Sequence, residues 1–138
     1  SKFRLHSQLN NSLIRNYAEI AGREPALISP ATAKARGIKT GDVVRIYNDR
    51  GEILCGALVS DTAQDTVVIV SEGAWYDPAV WGERSLCKHG NINVLTKDVP
   101  SSQLSQSNTA HTSMVQIEKF KGELPSVTAF DRPATIEA

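Results

Sequence analysis

The sequence lacks net charge. Its 15 Lys and Arg balance 15 Asp and Glu over 138 residues, and like charges do not gather into blocks. Nucleic-acid binding by counterion release needs a basic face, so no nucleic-acid partner is expected. No apolar run approaches the ~18 residues needed to cross a bilayer, so membrane insertion is not expected either. Cysteine is scarce: Cys55 and Cys87 are the only two, and they stand outside any CxxC spacing, which leaves no zinc or thioredoxin-like site legible. The pair reads as two reduced thiols acting as small core hydrophobes, with a single disulfide between them as the alternative. A Gly-rich phosphate loop, HExxH and GxSxG are all missing, so kinase, zinc-protease and hydrolase chemistry have no support. His89 has no Cys or His at ligand spacing and reads as a surface histidine. The chain opens at Ser1 with no Met, which suggests a processed chain or an excised piece.

What is present suits one domain with its own core: 41% of the residues are hydrophobic. Leu13, Ile14, Tyr17 and Ile20 fall at helical spacing, which predicts a short helix over Ser12 to Ile20, ended by Gly22. Ala26 to Ile28 reads as a strand. It runs into Ser29-Pro30, where Ser caps and Pro opens a helix that Gly37 stops. Val43 to Tyr47 and Glu52 to Ser60 read as the arms of a hairpin turned by Asn48-Asp49-Arg50-Gly51. Further strands are expected over Thr66 to Val70 and Ser113 to Phe120, and a short element from Asn93 to Thr96. Between them, Glu72 to Gly90 has no steady period but holds Trp75, Tyr76 and Trp81, as a long packed loop would. These rings suit packing against the body of the domain better than a substrate funnel. Residues 121–138, with Pro125 and Pro133, read as an extended tail after a domain of residues 1–120. Short strands, small helices and Gly-bearing turns point to a mainly β fold, a small closed or nearly closed barrel.

Several blocks then carry a resemblance. They are Arg4-Leu5-His6-Ser7-Gln8, Gly22-Arg23-Glu24-Pro25, Pro30-x-x-Ala33-x-x-Arg36-Gly37-Ile38-x-x-Gly41-Asp42-x-Val44 and Asn48-Asp49-Arg50-Gly51. The series continues with Glu72-Gly73-Ala74-Trp75-Tyr76-Asp77, Asn93-Val94-Leu95-Thr96, Asn108-Thr109-Ala110-His111-Thr112 and Val115 to Phe120. In this order they resemble the C-terminal molybdopterin-guanine-dinucleotide-binding domain of the dimethyl sulfoxide reductase family. The likeness is greatest to the branch holding trimethylamine N-oxide reductases, biotin sulfoxide reductase and periplasmic dimethyl sulfoxide reductase.

The resemblance implies a double-psi β-barrel docked on a larger catalytic body. It implies a bis(molybdopterin guanine dinucleotide) molybdenum cofactor in a parent oxidoreductase that reduces an N-oxide or S-oxide by oxygen-atom transfer, with trimethylamine N-oxide the expected substrate. The expected partners are the remaining domains of the same reductase and an electron-donor cytochrome or reductase, in anaerobic respiration. Export by a twin-arginine signal would place the parent in the periplasm; the biotin sulfoxide branch is cytoplasmic.

Cofactor contact carries over onto His6, Ser7, Gln8, Asn93, Ala110 and His111, with Asn108 a weaker candidate. A pterin dinucleotide buries ring nitrogens, amino groups and phosphates, and each unpaired group costs ~1–3 kcal/mol, so Ser, Gln, Asn and neutral His suit it. Without the resemblance His6 to Gln8 would read as a solvated arm, Asn93 as a turn former beside Gly90-Asn91, and His111 as a strand-edge histidine. No catalytic residue and no molybdenum ligand is expected in this chain, so it positions a cofactor without turning over alone. The rival reading is a free-standing double-psi barrel serving as a binding or adaptor module without catalysis.

Overall fold

The computed structural model describes residues 18–82, 85–107, 109 and 113–132. Its longest buried run is Ile53-Leu54-Cys55-Gly56-Ala57. A strand apolar on both faces has to be covered on both faces, which puts it in the middle of a sheet. That is where it lies. The strands are β1 (Pro25–Ile28), β2 (Val43–Tyr47), β3 (Glu52–Val59), β4 (Val68–Val70) and β5 (Gln116–Lys119), in a five-stranded sheet of order β4-β1-β3-β2-β5. The structure is mainly β, with β1 and β3 parallel and every other pair antiparallel.

The expected helix is present as α1, Pro30–Arg36. The Ser29 hydroxyl accepts from Thr32 N–H, Pro30 fills the first turn, and Gly37 closes the end at φ 64. Ala33 and Ile38 sink into the core with Ile28, Val44, Ile46 and Ile117. The β2–β3 hairpin also forms as expected, with Tyr47 opposite Glu52. Its turn closes through Asn48 N–H to Gly51 O at 3.0 Å, and Asn48 Oδ1 accepts from Arg50 N–H at 2.9 Å.

Four boundaries move. β4 begins at Val68, not Thr66, because Thr66 adopts φ 64 in the turn before it. β3 stops at Val59, one residue short of Ser60, and β5 covers only Gln116–Lys119 of the expected Ser113 to Phe120. The element expected from Asn93 is a 3-10 turn, Ile92–Val94. Of the helix expected over Ser12 to Ile20, only residues 18–20 are described.

The long loop packs as the two Trp residues suggested, but by other means. One edge of β3 is paired with β2 throughout Glu52 to Gly56, whereas β1 covers the other edge only from Gly56 onward. Buried backbone donors and acceptors need partners. The loop supplies them: Leu54 N–H donates to Cys87 O at 2.9 Å, and Cys87 N–H to Glu52 O at 3.0 Å. This draws the segment around Cys87 into the core and corrects the reading of His89. The His89 side chain is fully buried, bonded through Nε2 to Glu19 at 2.6 Å, and set edge-on to the Phe130 ring. Trp75, Tyr76 and Trp81 correct the packing expectation in the opposite sense, since all three rings remain substantially exposed. Backbone hydrogen bonds around Cys87 hold the loop down, and of its three rings only Trp75 adds to this, through Phe130.

Residues 125–130 strap across this loop. Arg23 donates to Pro125 O at 2.6 Å, and Phe130 packs on Trp75 with centroids 5.3 Å apart and ring planes tilted by 55°. At the centre lies Asp77, 4% exposed. It accepts from Thr128 N–H at 2.7 Å and from the Thr128 hydroxyl at 2.6 Å, and pairs with Lys88 at 3.0 Å. Burial would raise the Asp77 pKa, but the Thr128 donors and Lys88 outweigh it and hold the carboxyl below its ordinary range. A depressed carboxyl stabilises above its ordinary value, and the contribution disappears as pH falls through the lower folded value.

Asp77→Ala leaves the buried Lys88 ammonium with the Thr128 hydroxyl but no counter-charge, and should cost about 3–5 kcal/mol in urea unfolding. Thr128→Val, at an exposed residue where water can substitute, should cost about 1 kcal/mol. The difference between native chain and D77A should shrink in acid, as pH falls through and below the ordinary carboxyl range, because the Asp77 shift is downward.

Both cysteines are free and buried, as the reduced reading expected. Burial pushes the Cys55 thiol well above its ordinary value, and Glu24 and Cys87 add to the effect. Neither thiol should react with a disulfide reagent at pH 8 until denaturant is added; prompt native-state labelling of both would contradict the buried placement.

Candidate functional site

Asn93 is the one predicted contact residue among those described, and its position follows from the hairpin tip. Gly51 has no side chain, and a Cβ there would lie 2.5 Å from Val94 Cγ1 and 3.1 Å from Val94 O. The missing atom lets the 3-10 turn sit directly on the tip. Two side chains of the tip then bind the turn: Asn48 Nδ2 donates to Leu95 O at 2.9 Å, and Arg50 Nε donates to the same oxygen at 2.8 Å. Asn48 also donates to Met114 O at 3.2 Å, tying the segment leading to β5 to the same corner.

Within the turn, Asn91 Oδ1 accepts from Asn93 N–H at 2.9 Å, and the Thr96 hydroxyl donates to Asn93 O at 3.2 Å. Both bonds use the Asn93 main chain. The residue is exposed and lines two adjoining clefts. One, of about 500 Å³, is walled by Asn93, Thr96, Lys97, Asp98, Gln106 and Ser107 among others. The second, of about 540 Å³, adds Arg50, Tyr76, Ser85 and Asn91. Both volumes suit a small-molecule ligand. Their walls offer amide, hydroxyl, guanidinium and ammonium groups, the mixture that a nitrogen heterocycle carrying phosphate esters requires.

The far wall of the first cleft comes from the Ser-rich segment. Ser101 N–H donates to Ser107 O at 2.7 Å, and the Thr109 hydroxyl donates to Val99 O at 2.8 Å. These bonds double the segment back, so that Gln106 and Ser107 share a cleft with Asn93. His6, Ser7, Gln8, Asn108, Ala110 and His111 lie outside the described residues. Among the described residues no group of three or more His, Cys, Asp or Glu could hold a metal ion.

In sequence Arg50 reads as a turn residue, and Gln106 and Ser107 belong to no motif. Their place beside Asn93 had no local signal beyond polarity. Tyr76 was noticed as an aromatic loop residue and lies on the second cleft.

The family model described as "Molydopterin dinucleotide binding domain" matches residues 1–114. The chain belongs to that family. Its lining chemistry agrees: Asn93, Thr96, Gln106, Ser107, Lys97 and Arg50 are groups able to pair with the ring and phosphate atoms of such a dinucleotide. The chain is similar over 138 residues to "Trimethylamine-N-oxide reductase" from Salmonella typhi, at 51% identity, covering 99% of the chain and 16% of that protein. It is 49% identical over 133 residues to "Dimethyl sulfoxide/trimethylamine N-oxide reductase" from Cereibacter sphaeroides, covering 96% of the chain and again 16% of the relative. The chain thus spans about a sixth of the length of the relatives it matches. Among solved structures, "Acetylene Hydratase from Pelobacter acetylenicus" superposes with a TM-score of 0.62 at 14% identity, over 85% of this chain and 17% of that one. At that identity the likeness speaks to the fold alone.

Gly51→Ala should push the 3-10 turn off the hairpin tip and cost about 1–3 kcal/mol, read by thermal unfolding. Gly37→Ala, at the positive-φ helix end with nothing within 4 Å, makes the comparison: it should destabilise through backbone strain alone, by about 1 kcal/mol.

Proposed function

We propose that this chain is the cofactor-gripping domain of a molybdenum oxidoreductase that reduces an N-oxide or S-oxide, with trimethylamine N-oxide as the principal substrate. The observation that carries the reading is the identity of about half the positions along nearly the whole chain to trimethylamine N-oxide and dimethyl sulfoxide reductases. The Asn93 clefts support it with the right donors and acceptors. The cofactor is bis(molybdopterin guanine dinucleotide) molybdenum, held jointly with the remaining domains of the same polypeptide. The barrel of residues 1–120 closes as a double-psi barrel, and residues 121–138 form its tail.

When bound, the molybdenum group supplies two-electron oxygen-atom transfer. This chain's residues bind and orient. His6, Ser7 and Gln8 from the amino-terminal arm, Asn93 from the 3-10 turn, and Ala110 and His111 from the segment before β5 pair with the pterin and nucleotide. Matched partners stop water from competing for those ring atoms and hold the ring system at one tilt, which tunes the metal from a distance. Electrons come from a cytochrome or reductase partner, and the parent works in the periplasm.

The test is made on the full-length protein that carries this chain. Purified protein should contain molybdenum and pterin, and should reduce trimethylamine N-oxide faster than dimethyl sulfoxide or biotin sulfoxide. Protein that folds but holds neither molybdenum nor pterin would sink the proposal and favour the adaptor reading. Asn93→Ala, which removes an amide from an exposed turn without touching the core, should lower pterin retention about tenfold, measured as pterin released during dialysis.

A further inference from the structure

Tyr76 and Trp81 both reach the surface, at 44% and 79% exposure. Their rings meet edge-on, with centroids 6.3 Å apart at 88°. The backbone beneath Tyr76 is held from both sides. Trp75 packs at a tilt on Phe130, while Asp77 is gripped by Thr128 and Lys88. Lys88 also donates to the Thr128 hydroxyl at 2.7 Å, so all three groups of this clamp bond to one another. An exposed ring on a clamped backbone loses little freedom when something stacks on it, the condition under which stacking yields affinity. Tyr76 also lines the cleft that holds Asn93, Asn91 and Arg50.

We infer that Tyr76 is the stacking wall of a subsite for a fused 2-amino-4-oxopyrimidine ring, with Thr128 as the residue that positions it. Three observations meet here. An aromatic face suits any planar heterocycle. An asparagine amide on the same cleft carries a donor and an acceptor, matching the amino and oxo edge that both pterin and guanine present. Arg50 has Nε committed to Leu95 O and one terminal nitrogen paired with Asp49, so its planar guanidinium is held in place at the cleft. The inference rests on the proposed function for the presence of such a ring, and adds a residue outside the expected contact set of His6, Ser7, Gln8, Asn93, Ala110 and His111.

Full-length protein freed of cofactor is titrated with guanosine 5′-monophosphate and, separately, with 6-hydroxymethylpterin, following tryptophan fluorescence. At least one ring should bind, Tyr76→Ala should weaken it about tenfold, and Tyr76→Phe should restore it. Thr128→Val should weaken the same ring by a smaller factor. The ring that shows the Tyr76 dependence identifies which half of the dinucleotide stacks there. Equal binding by native protein and Y76A, or no binding of either ring, overturns the subsite. Molybdenum and pterin content of the untreated native protein is measured alongside. Normal content with a failed titration leaves the proposed function standing, whereas absent content removes both readings together.

Discussion

Most of this structure depends on the burial of β3 along both faces and both edges. A strand carrying Ile53, Leu54, Cys55 and Ala57 without an exposed side must find hydrogen-bond partners for every main-chain group, because an unpaired one in the interior costs ~1–3 kcal/mol. β2 supplies one edge through the hairpin, and β1 supplies half of the other by a parallel pairing. Cys87 supplies the rest. That last contact brings the loop inward, buries His89 and Lys88, and creates the place where residues 125–130 dock.

The candidate site inherits its geometry from the same arrangement. The hairpin that pairs β2 with β3 ends in Asn48-Asp49-Arg50-Gly51, and the tip is both a turn and a platform. Its glycine allows close approach by the 3-10 turn, while Asn48 and Arg50 converge on one carbonyl oxygen, that of Leu95. The main-chain groups of Asn93 are engaged within the turn. Asn93 thus sits on an exposed corner whose backbone is fixed, the arrangement a recognition residue needs if its amide is to meet a ligand without a large loss of freedom.

The aromatic loop shows the same separation between what is fixed and what is presented. Interior bonds through Asp77, Lys88 and His89 set the backbone, while Tyr76 and Trp81 stay at the surface. Aromatic content alone could not distinguish a loop packed by its rings from one packed by its main chain. Which of these holds depends on how much of β3's edge β1 leaves uncovered, a relation between residues about thirty positions apart.

Local chemistry was legible from residues alone wherever one turn or one period decides it. Ser29-Pro30 with Gly37 marks a capped helix, Asn48 to Gly51 marks a hairpin, and the branched apolar runs of Val43 to Tyr47 and Ile53 to Ala57 mark strands. Ordered blocks of sequence likewise carried the family, because spacing along a chain survives without coordinates. Tertiary structure alone decided that His89 is buried, that Thr66 turns instead of extending, that Phe130 reaches Trp75, and that Gln106, Ser107, Arg50 and Tyr76 gather around Asn93. Each of these depends on contacts between segments distant along the chain, and no window of neighbouring residues contains that information.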